Sequence, residues 1–424
     1  MIYINTKDAD EHVSFKQATI NGLAANGGLY VPQYIPNLDA EWINNIVNLS
    51  DHEIGFDVMR KLIGTDSLSD DQLKKIVSET LSFDIPVVDL GNRIHVLELF
   101  HGPTLAFKDV GARFMSRCLA QFSNAEEVNV LVATSGDTGS AVANGFYDVE
   151  GVKVTILFPK GKVSSFQEYQ MSSLGKNIKA VEVDGTFDDC QALVKKAFRD
   201  KALNEKYALS SANSINVARL LPQCLYYFLA YKQMKQRDKS AEVVISVPSG
   251  NFGNITAGIL AQKMGLPIKR FVAANNDNDT FYNYLQSGNW QPKPSVQTYS
   301  NAMDVGAPSN FVRILHFYND DYSVLKNEIS SFTFNDEKTL NKMKSFYIEN
   351  DYILDPHGAV GLLALQSTLA EGEQGIFLAT AHPKKFESVV AKAIPNYPLQ
   401  SVDLSHCRKS SIANDYKAFI SEMS

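Results

Sequence analysis

One lysine of the chain lies in an apolar segment. Lys108 directly follows Leu105, Ala106 and Phe107. Because buried lysines are rare, this local sequence alone favours a solvated lysine at a helix start, beside Asp109. The alternative is a partly desolvated amine, whose lowered pKa lets it act as a nucleophile and then as a base at neutral pH. Other residues of the chain are needed to choose between these interpretations.

A glycine-bearing turn after a strand supplies a candidate phosphate site. In VVISVPSGNFGN, Gly250 and Gly253 flank Asn251 and Phe252, and Asn254 follows. This spacing lets successive backbone amides face inward, and a helix that begins there adds its positive N-terminal dipole. The turn has neither the GK[ST] ending of a P-loop nor the GxGxxG dinucleotide spacing. The segment therefore predicts a site for the phosphate of something smaller than a nucleotide.

Two further turns follow strands in the same way. In SGDTGS, Ser135, Thr138 and nearby amides at a helix start can hold a substrate carboxylate, and Asp137 adds an acceptor. Helix capping explains Ser135 and Thr138 equally well. In FLATAHPKK, Thr380 ends a strand, and alone it is better interpreted as a helix cap. Three such turns that converge on one crevice favour a shared site.

The composition excludes several classes of protein. The chain has 424 residues, 45% of them hydrophobic and 21% charged, which predicts two or three structural units. A net charge of -7 argues against a nucleic-acid partner. No apolar run approaches the roughly 20 residues of a membrane span, and the N-terminus has no apolar signal core, so we expect a cytoplasmic protein without a membrane partner. Four widely spaced cysteines predict reduced, mostly buried thiols.

The elements that position these turns change in character near residue 85. Helical patterns predict a mainly helical N-terminal domain over 1–85. From 86 to 424, short β-branched runs alternate with amphipathic stretches, which is typical of an α/β region with parallel sheets covered by helices. Thr186 with Asp189 gives a capping-box-like start to one crossover helix. Besides HVLELF, the predicted strands are VNVLVATS, VKVTILF, NIKAVEVDG, AEVVISVPSG, IKRFVAANN and QGIFLATAH.

Motifs spread over nearly the whole chain resemble, in order, those of the threonine synthase family. They are HGPTLAFKD, VATSGDTGSA, NSINVARLLPQ, VPSGNFGNITAGI, TYSNAMDVGAPSNF and DPHGAVGL. The resemblance implies a pyridoxal 5'-phosphate (PLP) enzyme of fold type II, the tryptophan synthase β-like kind, with two open parallel-sheet lobes after the N-terminal unit. It also implies that the enzyme makes L-threonine from O-phospho-L-homoserine. Asp137 stands where broader relatives usually carry asparagine, which resembles the larger, mostly monomeric branch.

The resemblance also implies roles for individual residues. Lys108 becomes the Schiff-base lysine and the catalytic base, and Thr380 contacts the pyridine nitrogen. A neutral hydroxyl at that nitrogen moderates the electron-sink strength of the ring. The PLP phosphate is held by Gly250, Asn251, Phe252, Gly253 and Asn254, and the substrate by Ser135, Asp137 and Thr138.

The substrate carries its own phosphate, so a second anion site is required. Lys160 near a probable helix start, with Asn216 and Arg219 of NSINVARLLPQ, are the candidates. A guanidinium fork suits a phosphate dianion better than a lone ammonium does. Each fits a solvated surface charge as well, and for Lys162 that is the better interpretation.

The histidines of the matched motifs have no metal-ligand spacing. His101, His357 and His382 stand far from one another in sequence, so no metal is predicted. We interpret them as satisfied or cofactor-adjacent side chains.

Two other functions are compatible with parts of this pattern. A PLP-dependent serine or threonine dehydratase shares the fold but has no substrate phosphate to hold, so Arg219, Asn216 and Lys160 distinguish it. A non-catalytic sensor that binds PLP or a phosphorylated metabolite would not require Lys108.

Overall fold

The computed structural model describes residues 1–122 and 127–423. Its N-terminal region opens with a small antiparallel sheet that the sequence patterns did not predict. Strands β1 (Ile2–Asn5), β2 (Asp8–Ser14) and β3 (Tyr30–Pro32) pair in the order β2-β1-β3. Most residues of β2 are polar and solvent-exposed, so it lacks the apolar alternation that marks a strand. The helices of this region are α1 (Phe15–Asn21), α2 (Ala40–Asn45), α3 (Asp51–Ile63) and α4 (Asp70–Thr80).

The rest of the described chain alternates strands and helices. The strands are β4 (Val87–Asp89), β5 (Ile94–Glu98), β6 (Val128–Ala133), β7 (Val152–Pro159), β8 (Ile178–Asp184), β9 (Ala208–Ser211), β10 (Glu242–Pro248), β11 (Arg270–Asn275), β12 (Ile329–Thr333), β13 (Glu373–Ala379) and β14 (Lys409–Ala413). The helices are α5 (Lys108–Phe122), α6 (Asp137–Phe146), α7 (Ser165–Ser172), α8 (Phe187–Arg199), α9 (Lys201–Lys206), α10 (Val217–Leu220), α11 (Leu225–Arg237), α12 (Gly253–Lys263), α13 (Thr280–Ser287), α14 (Phe311–Phe317), α15 (Tyr322–Glu328), α16 (Asp336–Asn350), α17 (Pro356–Gln366), α18 (Glu387–Ala393) and α19 (Tyr416–Glu422).

Two parallel sheets form the two lobes. One has the strand order β12-β11-β10-β13-β5-β4, in which only the β4–β5 pair is antiparallel. The other has the order β14-β8-β7-β6-β9, and all its pairs are parallel. Every residue of β6 is buried, as expected of a parallel strand covered by helices on both faces. The predicted fold, with two parallel-sheet lobes after a mainly helical unit, is confirmed.

The local predictions for this region are also confirmed. The predicted strands correspond to β5, β6, β7, β8, β10, β11 and β13, and α8 begins with a capping box between Thr186 and Asp189. Residue 85 falls between α4 and β4, but the apolar core is continuous across it, for example where Phe15 packs edge-to-face on Phe122 with ring centroids 6.0 Å apart. A domain boundary there stays a prediction.

The parallel strands explain where a site can form. Since β5, β10 and β13 run in the same direction in one sheet, the turns after them lie at the same edge of that sheet. The turn after β6 faces this edge from the other lobe, because the Asp137 side chain bonds to Lys385 of the segment after β13. Among the described residues, no helix is long and apolar enough to cross a membrane. The four cysteines are free thiols, and three of them are buried.

Candidate active site

Lys108 is the first residue of α5, and the backbone before it is hydrogen-bonded to the segment that follows β13. The amide of Phe107 donates to the Thr380 carbonyl at 2.9 Å, and the amide of His382 donates to the Leu105 carbonyl at 3.0 Å. Leu105 has a φ of 60°, an uncommon conformation for a residue with a side chain, and such strained residues cluster at functional sites. Lys108 and Thr380 are therefore brought together by the backbone.

The amine of Lys108 lies in a site of opposing charges. Burial lowers its pKa, the carboxylate of Asp137 raises it, and the cations Lys385 and Arg219 lower it, which together set the pKa at about 8. Asp137 and Lys385 form an ion pair at the start of α6, and Arg219 lies against Gly111 in the first turn of α5. An amine of this pKa is partly neutral near pH 8 and can act as a nucleophile or a base there.

This pKa predicts how the protein without cofactor takes up PLP. Only the neutral amine attacks an aldehyde, so we expect the rate of covalent capture of PLP to rise with pH through about 8 and to level off above it. The rate is measured by stopped-flow absorbance at subsaturating PLP. A rate that keeps rising to pH 10, as for an ordinary lysine, contradicts the described environment of Lys108.

The SGDTG turn forms the start of α6. Gly136 precedes α6 with a φ of 138°, and a Cβ there would lie 2.4 Å from the Gln167 side chain, so the turn requires glycine. Thr134 accepts hydrogen bonds at 2.9 Å from the amides of Gly136 and Gly139. The capping considered for Ser135 and Thr138 is thus provided by Thr134. Ser135 and Thr138 are both partly exposed beside the start of α6.

Asp137 forms a buried ion pair that the sequence analysis missed. Its Oδ1 lies 3.0 Å from Lys385 Nζ and accepts a hydrogen bond of 2.9 Å from Gln167. Burial raises the pKa of Asp137, but the charges of Lys385 and Lys108 and the bond from Gln167 lower it more, so the carboxyl is ionised. Lys385 lies in ATAHPKKF after the end of β13, but nothing in its residue type distinguishes it from the adjacent Lys384.

The SGNFGN turn leaves its backbone amides accessible to a ligand. A Cβ on Gly250 would lie 2.7 Å from the carbonyl oxygen of Ala302 and from Met303 Cα, so no larger residue fits without backbone movement. Phe252 precedes α12 in the left-handed conformation, with φ 60°. Its apolar side chain cannot cap the helix, which leaves the first amides of α12 to a ligand.

A second layer of polar side chains holds this turn in place. Asn251 donates to the Ser214 hydroxyl at 2.6 Å and accepts from the amide of Ser309 at 2.6 Å, while Asn310 donates to the Asn251 carbonyl at 3.0 Å. The Asn251 side chain is thus engaged inside the protein. Its backbone amide is therefore the group that it could offer to a phosphate.

Arg313 anchors that second layer to the N-terminal region. The guanidinium is fully buried and donates to Asn310 Oδ1 at 2.8 Å and to three backbone carbonyls, those of Tyr30, Ser214 and Ile215. Burial lowers its pKa to about 9, which leaves it charged at neutral pH. The N-terminal region therefore supports the candidate phosphate turn through Arg313 and Asn310.

The residues of this turn fit the phosphate of PLP. Asn254, buried at the start of α12, accepts a hydrogen bond of 2.7 Å from Tyr227 through Oδ1, and its Nδ2 is a buried donor without a protein partner in the described chain. An unsatisfied donor, uncapped helix amides and glycines that admit a ligand to the backbone are the donor set that a phosphate requires. Lys108, with its lowered pKa, supplies the amine that PLP requires.

The three candidates for the substrate phosphate lie in different surroundings. Arg219 is 3% exposed, donates to the Ala212 carbonyl and has a pKa lowered by burial to about 10. Its Nε is a buried donor without a partner among the described residues. Of the three, Arg219 is the one whose charge acts on Lys108.

Asn216 and Lys160 differ from Arg219 in this respect. Asn216 is fully buried, donates both amide hydrogens to the carbonyls of Thr19 and Ser211, and caps α10 by accepting from the amide of Ala218. Lys160 is exposed at the end of β7. The structure therefore brings Arg219 to Lys108 and gives Asn216 and Lys160 other surroundings, and their contact with substrate stays a prediction.

Each of the three histidines has a hydrogen-bond partner within the protein. His357 Nδ1 lies 2.6 Å from Asp355, and its Nε2 accepts from the amide of Ala302 at 3.2 Å, so the ring supports the residue that packs on Gly250. His101 bonds to Glu98 at 2.7 Å. His382 accepts from the amide of Lys384 at 3.1 Å.

Comparisons with known proteins agree on one kind of enzyme. A family model described as threonine synthase N terminus matches residues 2–81, and one described as pyridoxal-phosphate dependent enzyme matches residues 80–380. A threonine synthase of Serratia marcescens is 45% identical over 395 residues, which cover 92% of this chain and 91% of that protein.

Solved structures extend the comparison to the fold of the whole chain. The crystal structure of threonine synthase from Escherichia coli has a TM-score of 0.91 and 42% identity, covering 100% of this chain and 99% of that chain. A PLP-bound threonine synthase from Brucella melitensis has a TM-score of 0.90 and 33% identity, with coverage of 100% and 98%.

Proposed function

The chain belongs to the threonine synthase family of PLP-dependent enzymes, and from this premise we propose how its residues convert O-phospho-L-homoserine and water into L-threonine and inorganic phosphate. The observation that carries the proposal is the position of Lys108. Lys108 begins α5, and the buried Arg219 lies against Gly111 in the first turn of that helix. The pKa of the Lys108 amine, about 8, is lowered by burial, and the charge of Asp137, which is paired with Lys385, acts on it. A base, a carboxylate-binding turn and a cation thus surround one space.

The cofactor site uses the residues that fit it. We assign the PLP phosphate to the backbone amides of Gly250, Asn251, Phe252 and Gly253 and to Asn254, and the pyridine nitrogen to Thr380. When bound, PLP supplies an electron sink that stabilises negative charge at the substrate Cα. Lys108 would hold the cofactor through its amine in the absence of substrate, and its neutral amine would remove the proton from Cα once substrate is bound.

The position of the leaving group determines the other proton transfers. Phosphate departs from Cγ, two bonds from Cα, so a second proton must leave Cβ before the Cγ–O bond breaks. Lys108 is the base next to these carbons. A proton then returns to Cγ. Water supplies the hydroxyl to Cβ, and Cα regains a proton, which completes threonine. The amides and hydroxyls of Ser135 and Thr138 hold the substrate carboxylate during these steps, and Arg219 holds the phosphate.

The cellular setting follows from the same comparisons and from composition. The enzyme acts on a small-molecule substrate. We propose that it works in the cytoplasm as a monomer without a nucleic-acid partner. Its four free thiols, three of them buried, fit a reducing compartment. Its net charge of -7 is unsuited to nucleic acid, and its SGDTG motif resembles the mostly monomeric branch.

A product assay tests the proposed reaction against a dehydratase. The purified protein with PLP and O-phospho-L-homoserine is expected to release L-threonine and phosphate in equal amounts. With L-threonine or L-serine as the substrate, a dehydratase would instead release ammonia and a 2-oxo acid. The proposal would be overturned if the protein formed the 2-oxo acid but made no threonine from O-phospho-L-homoserine.

A further inference from the structure

The ion pair between Lys385 and Asp137 is buried. The Lys385 side chain is 0% exposed and that of Asp137 4% exposed. Besides Asp137, the Lys385 ammonium donates to the Thr104 carbonyl at 2.7 Å and to Gln170 Oε1 at 3.0 Å. The two hydrogen bonds and the ion pair with Asp137 hold the Lys385 ammonium within the protein.

The contacts of Lys385 join the two lobes at the cleft. Lys385 and Thr104 follow β13 and β5 of the six-stranded sheet. Asp137 begins α6 and Gln170 belongs to α7, which both pack on the five-stranded sheet. Thr104 is itself fixed by Asp109, which accepts from its amide at 2.9 Å and from its hydroxyl at 2.5 Å. One buried cation thus sets the position of the SGDTG turn relative to the segment that carries Lys108.

The charge of Asp137 creates an electrostatic problem for the proposed reaction. Ser135 and Thr138 are assigned to a substrate carboxylate, and Asp137 is an ionised carboxylate in the same turn. Like charges repel strongly in a poorly solvated cleft, and a buried charge without a partner is costly. The N-terminal dipole of α6 offsets only part of one negative charge. A full positive charge next to Asp137 is required before a second carboxylate can bind.

We propose that Lys385 is a positioning residue that neutralises Asp137 and thereby lets the SGDTG turn accept the α-carboxylate of the substrate. The inference rests on the proposed function for the assignment of that turn. It attributes to Lys385 a role in carboxylate recognition without direct contact with the substrate.

Two ligands of the holoenzyme separate this role from a merely structural one. L-Threonine and 1-amino-2-propanol share the amine and the hydroxyl, and only threonine carries the carboxylate. Isothermal titration calorimetry on the Lys385→Met holoenzyme is expected to show affinity for L-threonine weakened by at least about tenfold, a loss of about 1.4 kcal/mol. Affinity for 1-amino-2-propanol is expected to change less than about threefold, or about 0.7 kcal/mol.

Three further variants test whether the effect comes from the charges of Lys385 and Asp137. In Lys385→Met/Asp137→Asn neither charge remains, so most of the lost threonine affinity is expected to return. In Asp137→Asn alone, which retains Lys385, the preference for threonine over the amine is expected to increase. Lys384→Met, at the neighbouring lysine whose Nζ lies 5.2 Å from the Phe166 ring centroid, serves as the matched control and should keep the parent preference.

The outcomes are distinct from those of the proposed reaction. Equal losses for both ligands in Lys385→Met, or no recovery in the double variant, would overturn the role of Lys385. If Lys385→Met does not fold, the Asp137→Asn variant decides, since a reduced preference for threonine there contradicts neutralisation by Lys385. Failure of the parent protein to form threonine would instead refute the proposed function, because these titrations require no turnover.

Discussion

Replacing Lys108 by alanine is expected to lower the turnover number for threonine formation by about 10³- to 10⁴-fold or more, while PLP still binds. Proton transfer by one positioned base contributes roughly 10²- to 10⁴-fold, and Lys108 is assigned transfers at more than one carbon. The SGNFGN amides, Asn254 and Thr380 do not depend on the covalent link to Lys108, so cofactor affinity should weaken without vanishing.

Turnover and cofactor retention of this variant are measured separately. Threonine is quantified after single and multiple turnovers, and the dissociation constant for PLP is obtained by equilibrium dialysis. Lys195→Ala, at an exposed lysine of α8, is the matched control and should behave as the parent. A Lys108→Ala variant that keeps a tenth or more of parent turnover would show that another group is the base. His101, bonded to Glu98, or the substrate phosphate would then be the leading candidates.

Arg219→Ala is expected to impair use of O-phospho-L-homoserine far more than it impairs retention of PLP. A charge-assisted contact is worth about 1.5 to 3 kcal/mol, so kcat/KM should fall by roughly 10- to 150-fold. Lys160→Ala is expected to act in the same direction with a smaller effect, because Lys160 is exposed and solvent screens its charge.

The two phosphate sites are distinguished by a second measurement on the same variants. Inhibition by inorganic phosphate reports on the substrate-phosphate site in the holoenzyme, and equilibrium dialysis reports on the PLP site. Arg219→Ala should raise the inhibition constant for phosphate and change the PLP dissociation constant little. Its melting temperature is compared with that of the parent to verify folding, since Arg219 is buried. Equal loss of cofactor from both variants would mean that the two phosphate sites have been exchanged.

Local patterns were sufficient for seven of the lobe strands, which are β5, β6, β7, β8, β10, β11 and β13, and for the main motifs. The buried strands are β-branched runs bounded by turns. The turns that contain Asp137 and Gly250 could be recognised because their backbone geometry requires glycine at Gly136 and Gly250. The small N-terminal sheet was missed because β2 is polar and exposed. The edge strands of the two lobes, β4, β12, β9 and β14, were not predicted either. The sequence could not show which residue caps α6. In the structure it is Thr134, the residue directly before Ser135, that accepts from the amides of Gly136 and Gly139.

Long-range partners account for the rest of what the sequence could not predict. Lys385 bonds to Thr104 281 residues away, and Arg313 bonds to Tyr30 283 residues away. Each is an ordinary basic residue by local sequence, and each becomes a fully buried cation through acceptors that only the fold brings near. A single sequence contains no signal that separates such residues from solvated neighbours such as Lys384.

The most direct test of the proposed reaction is turnover of O-phospho-L-homoserine in H₂¹⁸O, with mass analysis of both products. Elimination at Cγ breaks the carbon–oxygen bond, so the phosphate keeps its original oxygens, and the water that adds at Cβ supplies the new hydroxyl. We expect L-threonine with one ¹⁸O atom and phosphate with none. Labelled phosphate together with unlabelled homoserine would show simple phosphoester hydrolysis and would contradict the proposed reaction.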